Sequence, residues 1–195
     1  VRCSDALSNI NTDDFTISFA ISTPAPIALT RYPYIQSCTT NSVIAVWKTD
    51  TISDSTVEYG LTPSYGSSVT NPTVTTEHVV QLPNLLPGKE YYYRIKSNGQ
   101  VLASEILKTN KEASDPFFSL IGIGDSGEGS TQQQQLGVIM DSLNPDFLIH
   151  GGDVVYPSGE DFYYDQKFFI PYKNTLKNVC MFPSLGNHDV RTANG

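Results

Sequence analysis

The sequence predicts two units in series, a β sandwich followed by an α/β unit on a parallel sheet. Three observations predict it. From about Ile27 to Asn110, short runs rich in Val, Ile, Thr and Tyr alternate with turn residues, as in a sandwich. At Ser114-Asp115-Pro116 the pattern changes to nearly continuous apolar runs separated by helical stretches, as in a parallel sheet. Each of three such runs ends in Gly followed by Asp or Asn.

The elements follow in order. Residues 1–26 read as an extension and linker. Within them Phe15 to Ile21 alternates apolar and polar residues like a half-buried strand, and Thr23-Pro24-Ala25-Pro26 reads as extended. Residues 27–112 read as the sandwich. Ser42–Trp47 alternates and puts Trp47 on the core face. Thr56–Gly60, His78–Leu82, Glu90–Ile95, Gln100–Ser104 and Glu105–Leu107 complete roughly seven strands for a sandwich of this size.

Residues 113–195 read as the α/β unit. Phe117–Gly124 is a strand predicted to be buried on both faces. A helix runs from about Thr131 to Leu143, with Leu136, Ile139, Met140 and Leu143 on one stripe, and Asn144-Pro145 stops it. The polar run Gln132–Gln135 reads as its solvated start. Phe147–His150 is a second strand, Phe162–Lys177 a helix interrupted at Pro171, and Val179–Leu185 a third strand. Strand–helix–strand order implies right-handed crossovers.

Composition narrows the function classes. Hydrophobic residues make up 39% and charged residues 16%, an ordinary apolar fraction with a low charge fraction that suits an extracellular β-rich protein. The formal net charge of -8 argues against nucleic-acid or anionic-membrane binding, which needs Lys and Arg to neutralise phosphates. No apolar run is long enough for a membrane span. Val1 in place of an initiator Met reads as a processed start, in keeping with a secreted, periplasmic or cell-surface protein. Of the three cysteines, Cys3 and Cys38 are near enough in sequence for a disulfide that would leave Cys180 over. Three buried thiols are the equal alternative.

The three strand ends carry the chemistry: Gly124-Asp125-Ser126-Gly127, Gly152-Asp153-Val154-Val155-Tyr156 and Gly186-Asn187-His188-Asp189. In parallel sheets ligands gather at the carboxyl ends of the strands, so these residues aim at one cleft. Gly beside each polar residue permits a sharp turn and close backbone approach. One Gly-Asp is ordinarily a turn. Three in this order are not readily explained that way. His150 reads as a core histidine or one supporting the site from behind, and His78 as a surface or strand residue. Glu128, Glu160 and Asp161 could line the cleft mouth, though such loop acids are usually solvated. Ser126 lacks a nucleophile-elbow context, and the first motif lacks the Lys of a phosphate-binding loop.

The triplet resembles the metallophosphoesterase superfamily, and Tyr156 narrows the resemblance to the purple acid phosphatases. The lone Trp and the Leu86-Pro87-Gly88-x-x-Tyr91-x-Tyr93 run resemble a fibronectin type III domain, whose Tyr after the turn packs as a tyrosine corner. The resemblance covers about Arg31 onward. It implies a fibronectin-like β sandwich followed by α/β, the latter an incomplete αββα metallophosphoesterase sandwich. It implies hydrolysis of phosphate monoesters by a dinuclear centre of Fe(III) with Zn(II), Mn(II) or Fe(II). Asp125 would bind the first metal, Asp153 would bridge both, Tyr156 would bind the ferric ion as phenolate, and Asn187 would bind the second metal. His188 would face the phosphate and assist the leaving group, with Asp189 orienting it.

The family needs three further histidines from later motifs, whereas the only histidines here are His78, His150 and His188. The remaining catalytic half would therefore belong to further sequence of the same chain or to a second chain. Two alternatives stay open. One is an extracellular scaffold or binding module carrying a partial site, and the other is a related phosphodiesterase or nucleotidase. Substrate identity and oligomeric state, homo-oligomer included, stay open as well.

Overall fold

The computed structural model describes residues 4–8, 10, 18, 19 and 25–191. The expected strand over Phe15–Ile21 and Cys3 lie outside the described residues, apart from Ser18 and Phe19, which are in no strand.

Five antiparallel strands build the first unit: β1 Leu29–Gln36, β2 Val43–Gly60, β3 Ser67–Leu82, β4 Glu90–Ser97 and β5 Gln100–Lys108. The seven or so runs in the sequence become five because several join. The predicted strands 42–47 and 56–60 are the two ends of β2, and the two after Gln100 form β5 alone. The first part of β2, Val43–Lys48, pairs with β1 and with Glu77–Leu82 of β3. Its second part pairs with Ser67–Asn71 of β3 and with β4, which pairs with β5. The register breaks between Lys48 and Ser55, where the ladder bends. The sheet thereby curls over itself, and residues from both ends of β2 share one core.

That core contains Val43, Ala45, Trp47, Val57, Tyr59, Tyr93, Ile95 and Leu107. Fully burying a large apolar side chain contributes about 1.5–3 kcal/mol, so this cluster is the main source of stability in the unit. Trp47 lies on the core face, as its alternation predicts, stacked on His78 at 4.8 Å between ring centroids. His78 is a strand residue but fully buried rather than on the surface. Its Nε2 and Nδ1 meet the Thr49 and Ser55 hydroxyls, each at 2.8 Å, which offsets the cost of burial. The Tyr91 hydroxyl accepts the Leu86 N–H at 2.9 Å, which is the tyrosine-corner contact.

The second unit is a three-stranded parallel sheet in the order β6 (Leu120–Ile123), β7 (Phe147–His150), β8 (Met181–Pro183). Between β6 and β7 lies α1, Thr131–Leu143. The Ser130 hydroxyl caps its start by accepting the Gln133 N–H, and Asn144 ends it in the left-handed region at φ +46°. Between β7 and β8 come α2 (Asp161–Tyr164), a π-helical turn (Asp165–Phe169) and α3 (Ile170–Leu176). Pro171 sits in the first turn of α3, where its missing N–H costs least, so the helix widens before it instead of stopping.

Three expectations are corrected by the structure. The buried stripe of α1 is Gln133, Gly137 and Met140, with Leu136 partly packed, while Ile139 and Leu143 are exposed. The reason is Gly137: having no side chain, it lets α1 press against the Pro171 carbonyl of α3, and this selects the face. Gln133 is buried instead of solvated, because its amide accepts from Gly129 N–H and donates to the Lys167 carbonyl, both at 2.6 Å. Among the described residues, the sheet is also covered on one face only. Leu148, His150 and Met181 face the helices, while Leu120, Ile149 and Phe182 share the opposite face and are exposed.

The two units are joined by specific contacts. The Arg31 guanidinium lies 3.9 Å over the Phe169 ring and pairs with Asp165 at 2.5 Å. Tyr93 donates its hydroxyl to the Lys177 carbonyl at 2.9 Å, and Lys177 pairs with Glu105 at 2.8 Å. Cys38 meets Cys180, so Cys180 belongs to the sandwich core cluster and Tyr34 packs on the core of the other unit.

Candidate metal centre

The parallel sheet sends all three motif loops off one edge, and backbone bonds tie the loops together. Asp125 N–H donates to the Gly152 carbonyl at 3.1 Å, and Tyr156 N–H to the Gly127 carbonyl at 2.9 Å. Asp125 and Asp153 both have φ of +52°, in the left-handed region that non-Gly residues rarely enter. This backbone turns each Asp off its strand at the sheet edge. The motif glycines permit close approach. A Cβ on Gly127 would lie 1.9 Å from the Val154 carbonyl oxygen, and one on Gly186 would lie 2.2 Å from Asp153 Oδ1.

The structure brings Asp125, Asp153 and Tyr156 together. The Tyr156 hydroxyl lies 3.0 Å from Asp125 Oδ1 and 3.1 Å from Asp153 Oδ2, close enough to donate to either. Desolvation first, and then the two carboxylates accepting its proton, push the Tyr156 pKa up. The Asp153 carboxyl is held below its ordinary value by the His188 N–H donated to Oδ1 at 2.8 Å. Desolvation opposes this and the Tyr156 hydroxyl adds to it. Asn187 is exposed between Gly186 and His188, both of which touch Asp153 through the backbone.

His188 stands beside this group, its ring centroid 4.4 Å from that of Tyr156. Its Nδ1 lies 2.9 Å from the Pro157 carbonyl. A carbonyl only accepts, so Nδ1 carries the hydrogen and Nε2 remains for substrate. The expected orienting role therefore falls to Pro157, a contact that no sequence pattern signals. Asp189 is instead 1% exposed, with its carboxylate on the N–H groups of Val154 (2.9 and 3.1 Å), Val155 (3.3 Å) and Gly186 (2.8 Å). A buried carboxylate needs donors, and the N–H groups of the two loops supply them. Asp189 thus fastens the second motif to the third.

His150 is fully buried behind the site. Its Nε2 meets the Ser126 hydroxyl at 3.0 Å and its Nδ1 accepts the Gly152 N–H at 3.2 Å. Burial lowers its pKa, partly offset by Asp189, Asp125 and Asp153. It supports two motif loops, which the sequence reading allowed. Asp161 lies toward Arg31 at 3.9 Å, between the units, and Glu160 accepts from Ser158.

Among the described residues there is no cluster of three or more His, Cys, Asp and Glu able to hold a metal ion. The converging donors are two carboxylates and a phenol. In kind they fit a hard cation such as Fe(III); in number they make only part of a coordination shell.

No protein-family model matches the chain, and no curated protein matches it. The chain is similar to a solved structure of PhoD at 13% identity, covering 82% of this chain and 40% of that one, with a TM-score of 0.60. It thus spans well under half of PhoD, and the likeness shows a shared fold. Fibronectin type III domains of human collagen XX and human contactin 1 match at 14% and 15% identity. They cover 47% and 54% of this chain and 100% and 94% of their own, at TM-scores of 0.35 and 0.36, too low to carry weight.

Proposed function

We propose that this chain contributes the carboxylate, phenolate and amide side of a dinuclear phosphoesterase centre that hydrolyses phosphate monoesters. The observation that carries the reading is the Tyr156 hydroxyl set against both Asp125 and Asp153, each turned off a parallel strand in a left-handed backbone. The fold shared with PhoD supports a phosphoesterase-like relationship.

Asp125, Tyr156 and Asp153 would hold Fe(III), and Asp153 with Asn187 would hold Zn(II), Mn(II) or Fe(II). When bound, the metal pair would supply a nucleophile at moderate pH and offset charge on the phosphoryl oxygens. His188, its Nδ1–H held by the Pro157 carbonyl, would in its doubly protonated form give the Nε2 proton to the leaving oxygen. Asp189 and His150 would hold the motif loops in place. The remaining catalytic half, in the same or a second chain, would supply the missing imidazoles and cover the exposed face of Leu120, Ile149 and Phe182. A secreted or cell-surface location belongs to this reading.

The test is metal analysis, a visible spectrum and p-nitrophenyl phosphate hydrolysis on the complete protein. Two metals including iron, a charge-transfer band and turnover are expected. Tyr156→Phe should remove the band, and Asp153→Asn should lose metal and activity. A band that survives Tyr156→Phe refutes the phenolate ligand. Metal-free, inactive protein would favour the second reading, a binding module whose partner takes the exposed apolar sheet face.

A further inference from the structure

The pair Cys38–Cys180 lies at the junction of the two units, 142 residues apart in the chain. Cys38 follows β1, and Cys180 immediately precedes β8. Both are almost fully buried, at 4% and 1% exposure, and both are free thiols here. The Cys38 N–H donates to Cys180 Sγ at 3.3 Å. This puts that sulfur within about 4.8 Å of the Cys38 Cα, given an N–Cα bond of about 1.46 Å, and so within reach of the Cys38 side chain.

The surrounding backbone holds the pair in place. The Cys38 carbonyl accepts from Asn110 Nδ2 at 2.8 Å, and the Cys180 carbonyl from Leu148 N–H at 2.9 Å. Lys108 N–H donates to the Asn178 carbonyl at 2.9 Å two residues before Cys180. The thiols are therefore adjacent because the units dock, and not because of any pull between the sulfurs. A reduced buried pair would pack as two small apolar groups.

We propose that Cys38 and Cys180 form a disulfide that cross-links the sandwich to the α/β unit. The inference is independent of the phosphoesterase reading, and it replaces the Cys3–Cys38 pairing that sequence proximity suggested. The reaction is exchange with an external low-molecular-weight disulfide while the chain is still open, before burial closes off access. One cysteine thiolate attacks the external disulfide, forming a mixed disulfide and releasing one external thiolate. The second cysteine thiolate then attacks the protein sulfur of that mixed disulfide and releases the other. The two external sulfurs take up the two protons that the cysteines lose, so two protein thiols are oxidised and one external disulfide is reduced.

Once the chain has folded, the pKa of Cys180 is lowered above all by the hydrogen bond from the Cys38 thiol, against desolvation, with the Cys38 and Ser37 N–H groups adding to it. The Cys38 pKa is pushed up by the same thiol contact and by burial. The bond would anchor the start of β8, the strand whose loop carries Asn187 and His188.

The test is refolding of the full chain in reduced and oxidised glutathione, then alkylation, unreduced tryptic digestion and mass spectrometry. The three cysteines fall on separate tryptic peptides, 3–31, 32–48 and 178–191. Peptide 32–48 joined to 178–191, 2 Da below the sum of the two reduced peptides because a disulfide forms with loss of two hydrogens, is the expected product. A link from 3–31 to either of the others, or three alkylated thiols, overturns the proposal. As a second measurement, dithiothreitol should lower the melting temperature of wild type and Cys3→Ser but leave Cys38→Ser and Cys180→Ser unchanged. An equal fall in Cys38→Ser overturns it too.

Discussion

Replacing Asp189 separates a structural carboxylate from a catalytic one. In the folded chain it is 1% exposed and accepts from the backbone N–H groups of Val154, Val155 and Gly186. Asp189→Ala would leave three donors with no acceptor in the space the carboxylate held. Each stranded buried donor costs about 1–3 kcal/mol. Water entering the space would recover part of this, so the expected loss is about 3–5 kcal/mol, a large share of the roughly 5–15 kcal/mol of an ordinary domain. Asp189→Asn keeps one acceptor oxygen but turns an NH2 group toward an N–H, and about half that loss is expected. Urea unfolding should be followed by helix ellipticity, which reports α1 to α3, and by fluorescence of Trp47, the only Trp, which reports the sandwich. The helix transition should move to lower urea. A loss under about 1 kcal/mol for Asp189→Ala would refute the fastening role, since simple loss of a surface carboxylate costs that little.

Three further predictions concern packing and pH. Gly137→Ala should destabilise by about 1–3 kcal/mol despite a gain of about 1 kcal/mol in helix propensity, because the new methyl would lie 2.2 Å from the Pro171 carbonyl oxygen; a higher melting temperature would show that α1 can shift freely. Burial holds the His78 pKa below its ordinary value, so the unfolded chain binds the proton more tightly than the folded one. The stability this gives is therefore complete above the unfolded value of about 6.5 and is lost as pH falls through it. Trp47-monitored melting should drop between about pH 7.5 and 5 in wild type and less in His78→Phe, and equal profiles would refute the assignment. Arg31→Ala should cost about 1–3 kcal/mol by removing the Asp165 pair and the Phe169 stack, and should let the Trp47 and helix transitions separate; coincident, unshifted transitions would show that Arg31 does not couple the units.

Much of the local structure was legible in the sequence because it depends on neighbours along the chain. The strand β4 with its tyrosine corner, the core position of Trp47 and the limits of α1 follow from alternation, turn residues and capping groups within a few positions. The carboxyl-edge placement of Asp125 and Asp153 follows from a parallel sheet and a glycine at each strand end. The sequence could not show which face of α1 is buried, because the close approach of Pro171 to Gly137 outweighs the apolar stripe. Nor could it show that Gln133 and His78 are buried, since each is made tolerable by hydrogen-bond partners 23–34 residues away in the chain. The division of labour between Pro157, which holds the His188 ring, and Asp189, which joins two loops, depends on how those loops cross. The Cys38–Cys180 contact exists only once the two units dock. A local pattern fixes which residues reach an edge or a face; only the packed chain decides which partner each finds there, because burial forces every polar group to take whatever donor or acceptor the tertiary structure brings within reach.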